Sequence, residues 1–216
     1  MAKKSSTGRG GTRKAAPKDL ETRLIDAMLA LVVREGWRGV TLPAIAAGAG
    51  AKLSELYPAW RSRMAVLLAF MRRIDREVVE TDFAFAPEDT VRDRLFEVLM
   101  RRFDALQPHR EAVRRIRAGA ARDPAASAAM MRQLGCSMAW MLEAAGLSSD
   151  GVTGKVKIAG LTGLWLRCMA VWVEDDSKDM SRTMAELDRG LKRADRWAEI
   201  LFCRRRTGEG TSAEAA

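Results

Sequence analysis

The stretch TLPAIAAGAGAKLSELYPAWRSR, residues 41–63, predicts two short helices joined by a turn of very small residues. The hydroxyl of Thr41 can cap the first helix, and Pro43 lies in its first turn, where the missing N–H costs nothing. Residues 48–51, GAGA, have almost no side-chain bulk, so two helices can cross closely there. The second helix is expected over residues 52–60. This arrangement is typical of a helix-turn-helix.

Apolar residues at helical spacing indicate which sides of these two helices face the core. The residues expected to point inward are Leu42, Ile45, Ala46, Leu53, Leu56 and Trp60. Pro58 should interrupt the second helix near its end, because proline removes a backbone donor. Ser62 can then cap a third, longer helix that starts RMAVLLAFM.

Helical periodicity continues through the rest of the chain and predicts an all-α fold of about nine helices. Helix-forming residues dominate, aromatic residues make up 6% and tyrosine occurs once, which disfavours strands. Gly36 and Gly146 are placed to end helices, and Asp123 is placed to cap one. The further helices are expected over residues 18–35, 63–80, 87–106, a short basic segment from 108, 124–145, 152–173 and 180–202.

The inventory of reactive residues disfavours an enzyme. His109 is the only histidine, and no nucleophile is placed for a triad. The Gly48-x-Gly50 pair lacks a third glycine and a preceding strand, so it is not a nucleotide-binding fingerprint. No metal or other cofactor is expected. The three cysteines are widely spaced and odd in number, as expected of unpaired thiols in a reducing cytoplasm: Cys136, Cys168 and Cys203.

Charge and hydropathy predict a cytoplasmic protein without a membrane span. The basic start is not followed by an apolar core, so no secretory signal is expected. The most apolar segment, residues 158–173, is interrupted by Arg167 and is too short to cross a bilayer comfortably. Residues 1–18 carry six basic residues and no acid, against a net charge of +9 for the whole chain. This tail can lie along a phosphate backbone, or it can simply aid solubility.

An ordered set of residues in and around the opening stretch carries a family resemblance. In chain order the set is Gly36, Thr41, Ile45-Ala46, Ala49-Gly50, Ala51, Leu56-Tyr57, Trp60, Ser62 and Arg63. On these residues, the segment 24–68 resembles the N-terminal DNA-binding domain of the TetR family of bacterial transcriptional regulators. The resemblance implies a helix-turn-helix domain followed by a helical domain that binds ligand and dimerises.

The resemblance also implies contacts with double-stranded DNA. The second short helix would enter the major groove and present Lys52, Ser54 and Glu55 to base edges. The implied DNA-contacting residues are Arg38, Thr41, Lys52, Ser54, Glu55, Tyr57 and Arg63, of which the other four would contact phosphates. Glu55 offsets Lys52, so this helix has no net positive charge. The same residues can instead be the polar faces of a small helical domain.

A second resemblance concerns residues 155–193. They are similar to the C-terminal domain of lipid-binding accessory proteins of ubiquinone biosynthesis, chiefly at Asp176-Ser177, Thr183 and Leu187-Asp188-Arg189. This likeness implies the same architecture but a different function. The chain would bind a lipid or a quinone precursor, and its helix-turn-helix would be vestigial.

Large, soft apolar residues on three predicted helices are candidates for the wall of a ligand cavity. They are Met100, Phe103, Met131, Leu134, Met138, Trp165, Met169 and Trp172. Methionine-rich walls adapt to varied apolar or amphipathic molecules. A stripe of this kind is otherwise ordinary core, so both interpretations stay open.

The last two helices are expected to hold two copies of the chain together. Gly160 and Gly163 would let one helix approach its copy closely, with the final helix completing a four-helix interface. A dimer would place two reading helices about one turn of DNA apart, which implies a near-palindromic site. The final helix ends in apolar residues and then three arginines (residues 204–206), a pattern that can also lie on an anionic membrane surface.

Together these patterns predict four segments. A disordered basic tail covers residues 1–18, a helix-turn-helix DNA-binding domain 19–62, a helical ligand-binding and dimerisation domain 63–203, and a disordered tail 204–216. The favoured hypothesis is a homodimeric transcriptional repressor released by an apolar ligand. The alternative is the lipid-binding accessory protein.

Overall fold

The computed structural model describes residues 17–57 and 59–209, with side chains described over 20–57 and 59–196. Within these ranges the chain is helical and contains no strand, which confirms the predicted all-α class. A short 3-10 helix, Gln107–His109, precedes the sixth α-helix. The α-helices are α1 Pro17–Gly39, α2 Leu42–Gly48, α3 Leu53–Leu56, α4 Arg63–Val79, α5 Val91–Leu106, α6 Arg110–Ala120, α7 Pro124–Ala144, α8 Gly151–Trp172 and α9 Ser181–Glu209.

Local capping explains where several of these helices start. The Thr41 hydroxyl accepts a hydrogen bond from Ala44 N at 3.3 Å, and the Ser62 hydroxyl accepts one from Ala65 N at 3.2 Å. Gly36 breaks α1 with a φ of 73°, although helical residues resume until Gly39. These features lie where the sequence predicts them, because each depends on residues a few positions apart.

Four helices differ clearly from their predicted bounds. Helical residues of α1 continue past residue 35 to Gly39, and α9 continues past residue 202 to Glu209, so it overlaps the tail predicted over 204–216. The second short helix was expected over residues 52–60 but covers only Leu53–Leu56, and Tyr57 is extended with a ψ of 132°. Tyr57 precedes a proline, and the residue before proline is sterically driven out of the helical region. The next long helix starts at Val91 rather than residue 87, because Thr90 and Asp93 form a reciprocal capping box.

One continuous apolar core joins the three N-terminal helices to the rest of the chain. α1 packs against α2, α4 and α6, and α4 packs in turn against α5 and α7. α6 lies close against the end of α1, where a Cβ added to Gly119 would lie 2.7 Å from Trp37 Cβ. The predicted boundary after residue 62 therefore stays a prediction, since the core runs across it.

A polar cluster is buried inside this core. Asp75 of α4 accepts hydrogen bonds from the Arg102 guanidinium of α5 and, at 2.7 Å, from the Ser137 hydroxyl of α7. The Arg102 guanidinium also lies over the Trp165 ring, 5.0 Å from its centroid. Arg102 is only 3% exposed and Asp75 only 6%. The cluster ties three helices together, because a buried charge is tolerated only with its partners.

A second buried carboxylate organises the turn between α8 and α9. Asp175 is 1% exposed, and its oxygens accept hydrogen bonds from the backbone and hydroxyl groups of Ser177 and Thr183. Burial favours the neutral acid, but these four donors outweigh it and lower the pKa of Asp175 to about 2. Ser177 and Thr183, two of the residues behind the second resemblance, thus hold the start of α9.

Asp175→Asn is expected to lower the free energy of unfolding by about 2–3 kcal/mol at pH 7, because hydrogen bonds to a charged acceptor are lost. The wild-type pKa is depressed on folding, so this stability is present above pH 4 and disappears as the pH falls towards 2. Urea unfolding of both proteins between pH 7 and pH 2.5 measures the difference between their free energies of unfolding. Asp176→Asn is the control, since that side chain is fully exposed. If this difference did not become smaller in acid, the account would be contradicted.

In the described part of the chain, no helix is both long and apolar enough to cross a bilayer.

Candidate functional site

The α2–α3 unit forms a helix-turn-helix whose turn is held from α1. Gly50 in this turn has a φ of 61°, a left-handed conformation that glycine adopts without strain. An Arg23 guanidinium nitrogen of α1 donates to the Ala49 carbonyl at 2.6 Å. This contact fixes the turn to the preceding helix, so α3 has a defined position relative to the core.

Nearly every residue in and beside α3 is exposed to solvent. Leu56 is 1% exposed and anchors the helix, while Tyr57 just after it is 81% exposed. The predicted base-facing residues Lys52, Ser54 and Glu55 are all exposed. Arg38 and Thr41 are exposed as well, before the start of α2. Six of the seven predicted DNA-contacting residues therefore stand on solvent-accessible positions of one small unit.

Arg63, the seventh residue, has a different place. One of its guanidinium nitrogens donates to the carbonyls of Trp37, Arg38 and Val40, at 3.0, 3.2 and 2.7 Å respectively. Its guanidinium carbon also lies 4.8 Å from the centroid of the Trp37 ring. These carbonyls close the end of α1, so Arg63 joins the start of α4 to the chain entering α2. The arrangement favours a positioning role over a free phosphate contact.

Arg63→Ala is expected to lower the free energy of unfolding by about 2 kcal/mol, because charge-assisted hydrogen bonds to three carbonyls are lost. Thermal or urea unfolding measures the change. Arg38→Ala is the matched control and should change stability by less than about 0.5 kcal/mol, since its side chain is exposed. If Arg63 served only as a phosphate contact, its removal would leave stability unchanged and would reduce the salt dependence of DNA binding instead.

The prediction that Leu53 points inward is wrong. Leu53 is 51% exposed. It lines an open cleft of about 420 Å³ together with Leu42, Leu56, Tyr57, Trp60 and Arg61. The prediction failed because it assumed a helix that reaches Trp60. In a helix of that length, both Leu53 and Leu56 could face the core. A single turn has one inward position, and Leu56 occupies it.

Most of the candidate ligand-binding residues are buried in the core. Phe103 stacks on Trp165 with ring centroids 4.3 Å apart and lies 5.8 Å from Trp172. The structure buries six of the eight and leaves Met100 partly buried and Met131 42% exposed: the buried ones are Phe103, Leu134, Met138, Trp165, Met169 and Trp172. A ligand cavity among them stays a prediction.

A second open cleft, of about 600 Å³, lies between α5 and the start of α9. Met100 is the one candidate ligand-binding residue that lines it. The other lining residues are four acids, three apolar residues and one lysine: Asp93, Glu97, Asp104, Asp179, Phe96, Met180, Met184 and Lys178. The cleft is therefore separate from the stacked aromatic residues of the core.

The remaining reactive side chains are isolated. Burial raises the pKa of the Cys168 thiol to about 12, so it stays protonated and inert. Burial also lowers the pKa of His109, which packs edge-on against Phe70. In the described ranges no three His, Cys, Asp or Glu side chains meet in a group that could hold a metal ion. Cys203, the basic tail before residue 17 and the side chains of residues 204–206 lie outside the described residues.

The fold is similar to solved structures of bacterial regulators. The TetR transcriptional regulator from Nitrosomonas europaea ATCC 19718 superimposes with a TM-score of 0.65 at 21% identity, covering 82% of this chain and 98% of that one. A TetR transcriptional regulator from Rhodococcus sp. RHA1 gives a TM-score of 0.59 at 18% identity, covering 81% of this chain and 94% of that one. No family model and no curated protein matches the sequence. The likeness establishes a TetR-like fold over most of the chain.

Proposed function

We propose that this chain is a transcriptional regulator that binds a near-palindromic site in double-stranded DNA as a homodimer. The observation that supports this most is the α2–α3 unit, in which Leu56 alone anchors a helix whose neighbouring polar residues are exposed. Arg23 also holds the turn of this unit, and Arg63 holds the chain that enters it. A reading helix needs this combination of exposure and fixed position, because base contacts tolerate little misplacement.

The exposed residues have the chemistry for reading a major groove. Lys52 can donate to the O6 and N7 atoms of guanine, and Glu55 can accept from the amino group of cytosine. Tyr57, Thr41 and Arg38 are placed to contact phosphates, which set the register of the protein without reading sequence. Arg63 supports this surface from behind.

The dimer is proposed to form through α8 and α9. One side of α8 exposes small and apolar residues at helical spacing: Val152, Val156, Ala159, Gly160, Gly163 and Ala170. A Cβ added to Gly160 or to Gly163 would meet no atom within 4 Å. An exposed apolar stripe with glycines at its centre fits the close approach of a second copy.

Gly160→Arg is expected to convert a dimer into monomers, because two like charges would meet where the helices cross. Such a juxtaposition costs several kcal/mol, so the dissociation constant should rise roughly 100-fold or more. Analytical ultracentrifugation measures the effect. Gly135→Arg in α7 is the control, since that position also has open space around it. A Gly160→Arg protein that remains as dimeric as the control would place the interface elsewhere.

DNA binding is tested with the region upstream of the protein's own gene. Wild-type protein should bind this duplex more tightly than a shuffled duplex of equal length, with an affinity that falls steeply with salt. Lys52→Ala should lose most of the preference and keep the fold. Equal affinity for both duplexes at low salt would overturn the proposal. Lipid retained by the purified protein, seen by mass spectrometry, would then favour the accessory-protein alternative.

The ligand response is part of the same proposal. An apolar ligand would release the DNA if it favours a conformer in which the spacing of the two α3 helices no longer matches the groove. Titration of apolar compounds into the protein–DNA complex tests this step separately from binding itself.

A further inference from the structure

The side chain of Leu53 is exposed but, being apolar, takes no part in the polar contacts proposed for this surface. It is 51% exposed at the first position of α3, in the middle of the proposed reading surface. Tyr57, four residues on and 81% exposed, lies on the same cleft. Leu53 and Tyr57 are therefore not scattered singly but adjoin Trp60 in one cleft, and contiguous exposed apolar patches rimmed by polar residues mark binding sites.

Leu53 is kept outward by the way α3 is anchored. Leu56 fills the single inward position of this one-turn helix. The backbone N–H of Tyr57 donates to the Leu53 carbonyl at 3.3 Å, which closes the turn and fixes its rotation. The outward direction of Leu53 is thus a property of the folded unit.

The residues around Leu53 indicate what covers it. Lys52 directly precedes Leu53 and Arg61 lines the same cleft; both are exposed, and Glu55 is the one acid between residues 36 and 63. An apolar centre beside cations is complementary to a polyanion that offers an apolar group at the same place. Duplex DNA has one such group in the major groove, the C5-methyl of thymine.

We propose that Leu53 is a specificity-determining residue that contacts a thymine methyl group in each half-site. This inference rests on the proposed function and adds one base preference to it. Lys52 and Glu55 read hydrogen-bonding groups, whereas Leu53 reads the only feature of a T·A pair that is apolar. The half-site therefore contains a thymine next to the bases read by Lys52 and Glu55.

The test uses duplexes that the wild-type protein selects from a random-sequence pool. Each selected thymine is replaced singly by deoxyuridine, which removes only the methyl group. At one position per half-site, the wild-type affinity should fall about four-fold, the factor expected for one buried methyl group. Replacing both symmetry-related thymines should weaken binding about 15-fold.

The decisive comparison is with Leu53→Ala. This protein should bind thymine and deoxyuridine duplexes equally, whereas Leu53→Met should keep the discrimination. Val79→Ala is the matched control, because Val79 is 43% exposed at the far end of α4 and should behave as wild type. Thermal unfolding of all four proteins checks that the fold is intact.

The outcomes separate this inference from the proposed function. Selection of a defined site whose thymines can all lose their methyl groups without effect overturns the inference and leaves the regulator in place. An effect of the same size in wild type and Leu53→Ala also overturns it, and leaves a second copy or another protein as the occupant of the cleft. A pool with no enriched sequence at all would overturn both.

Discussion

Replacing Asp75 by alanine is expected to lower the free energy of unfolding by about 3–5 kcal/mol, the range for removing one partner of a buried ion pair. The loss is large because the Arg102 guanidinium would stay in the core without its counter-charge. Among the described residues the Nε–H of Arg102 has no hydrogen-bond partner, so the guanidinium depends on Asp75 as its acceptor. The Ser137 hydroxyl would lose an acceptor too. Urea unfolding at pH 7 measures the change.

A double variant shows whether charge or packing is responsible. Asp75→Leu combined with Arg102→Met removes both charges and keeps most of the volume, so its stability should lie within about 1 kcal/mol of wild type or above it. Ser137→Ala alone should cost about 1 kcal/mol, the contribution of an ordinary hydrogen bond. If Asp75→Ala costs no more than Ser137→Ala, the cluster is not the anchor described above.

Gly119→Ala is expected to destabilise the protein by about 1–3 kcal/mol, the cost of overpacking a core. The sign of this change in stability is informative, because replacing glycine by alanine inside a helix normally stabilises a protein by about 0.5–1 kcal/mol. Here the added methyl group would lie 2.7 Å from Trp37 Cβ and 3.1 Å from Trp37 Cδ1. Either α6 or the end of α1 must move to make room.

Gly135→Ala is the matched control, since it lies inside α7 with no atom within 4 Å of the added Cβ. It should gain the usual helix propensity and raise the melting temperature, while Gly119→Ala lowers it. DNA affinity should also fall in Gly119→Ala alone, because Trp37 supports Arg63 and its carbonyl accepts from it. A stabilised Gly119→Ala protein would show that α6 and α1 adjust freely.

The parts of the fold that depend on neighbours in sequence could be predicted. Thr41, Ser62 and the Asp123-Pro124 pair each cap a helix where expected, because the hydrogen bond they make closes over three residues. The helix-turn-helix scaffold followed from the same local rules. Six of its seven proposed contact residues are exposed, although their contacts with DNA stay predictions.

The parts that depend on distant residues could not be predicted. Asp75 lies 27 positions from Arg102 and 62 from Ser137, so no local pattern connects them. The family resemblance implied a phosphate contact for Arg63, and that contact stays a prediction. Its hydrogen bonds to backbone carbonyls 23 to 26 positions earlier could not be predicted, because those carbonyls carry no sequence signature. The exposure of Leu53 could not be predicted for another reason, because it depends on how short α3 is.

In the proposed regulator, α4 links the core to the surface that would contact DNA. Asp75 fastens it to the core near one end, and Arg63 fastens it to the end of α1 at the other. Twelve residues of helix make an arm of about 18 Å, so a tilt of about 5° at Asp75 displaces Arg63 by about 1.6 Å. Hydrogen bonds tolerate only about 0.5 Å of such variation. A small rotation of α4 would therefore break the hydrogen bonds that hold the chain entering α2, and α3, the proposed reading helix, would lose that support.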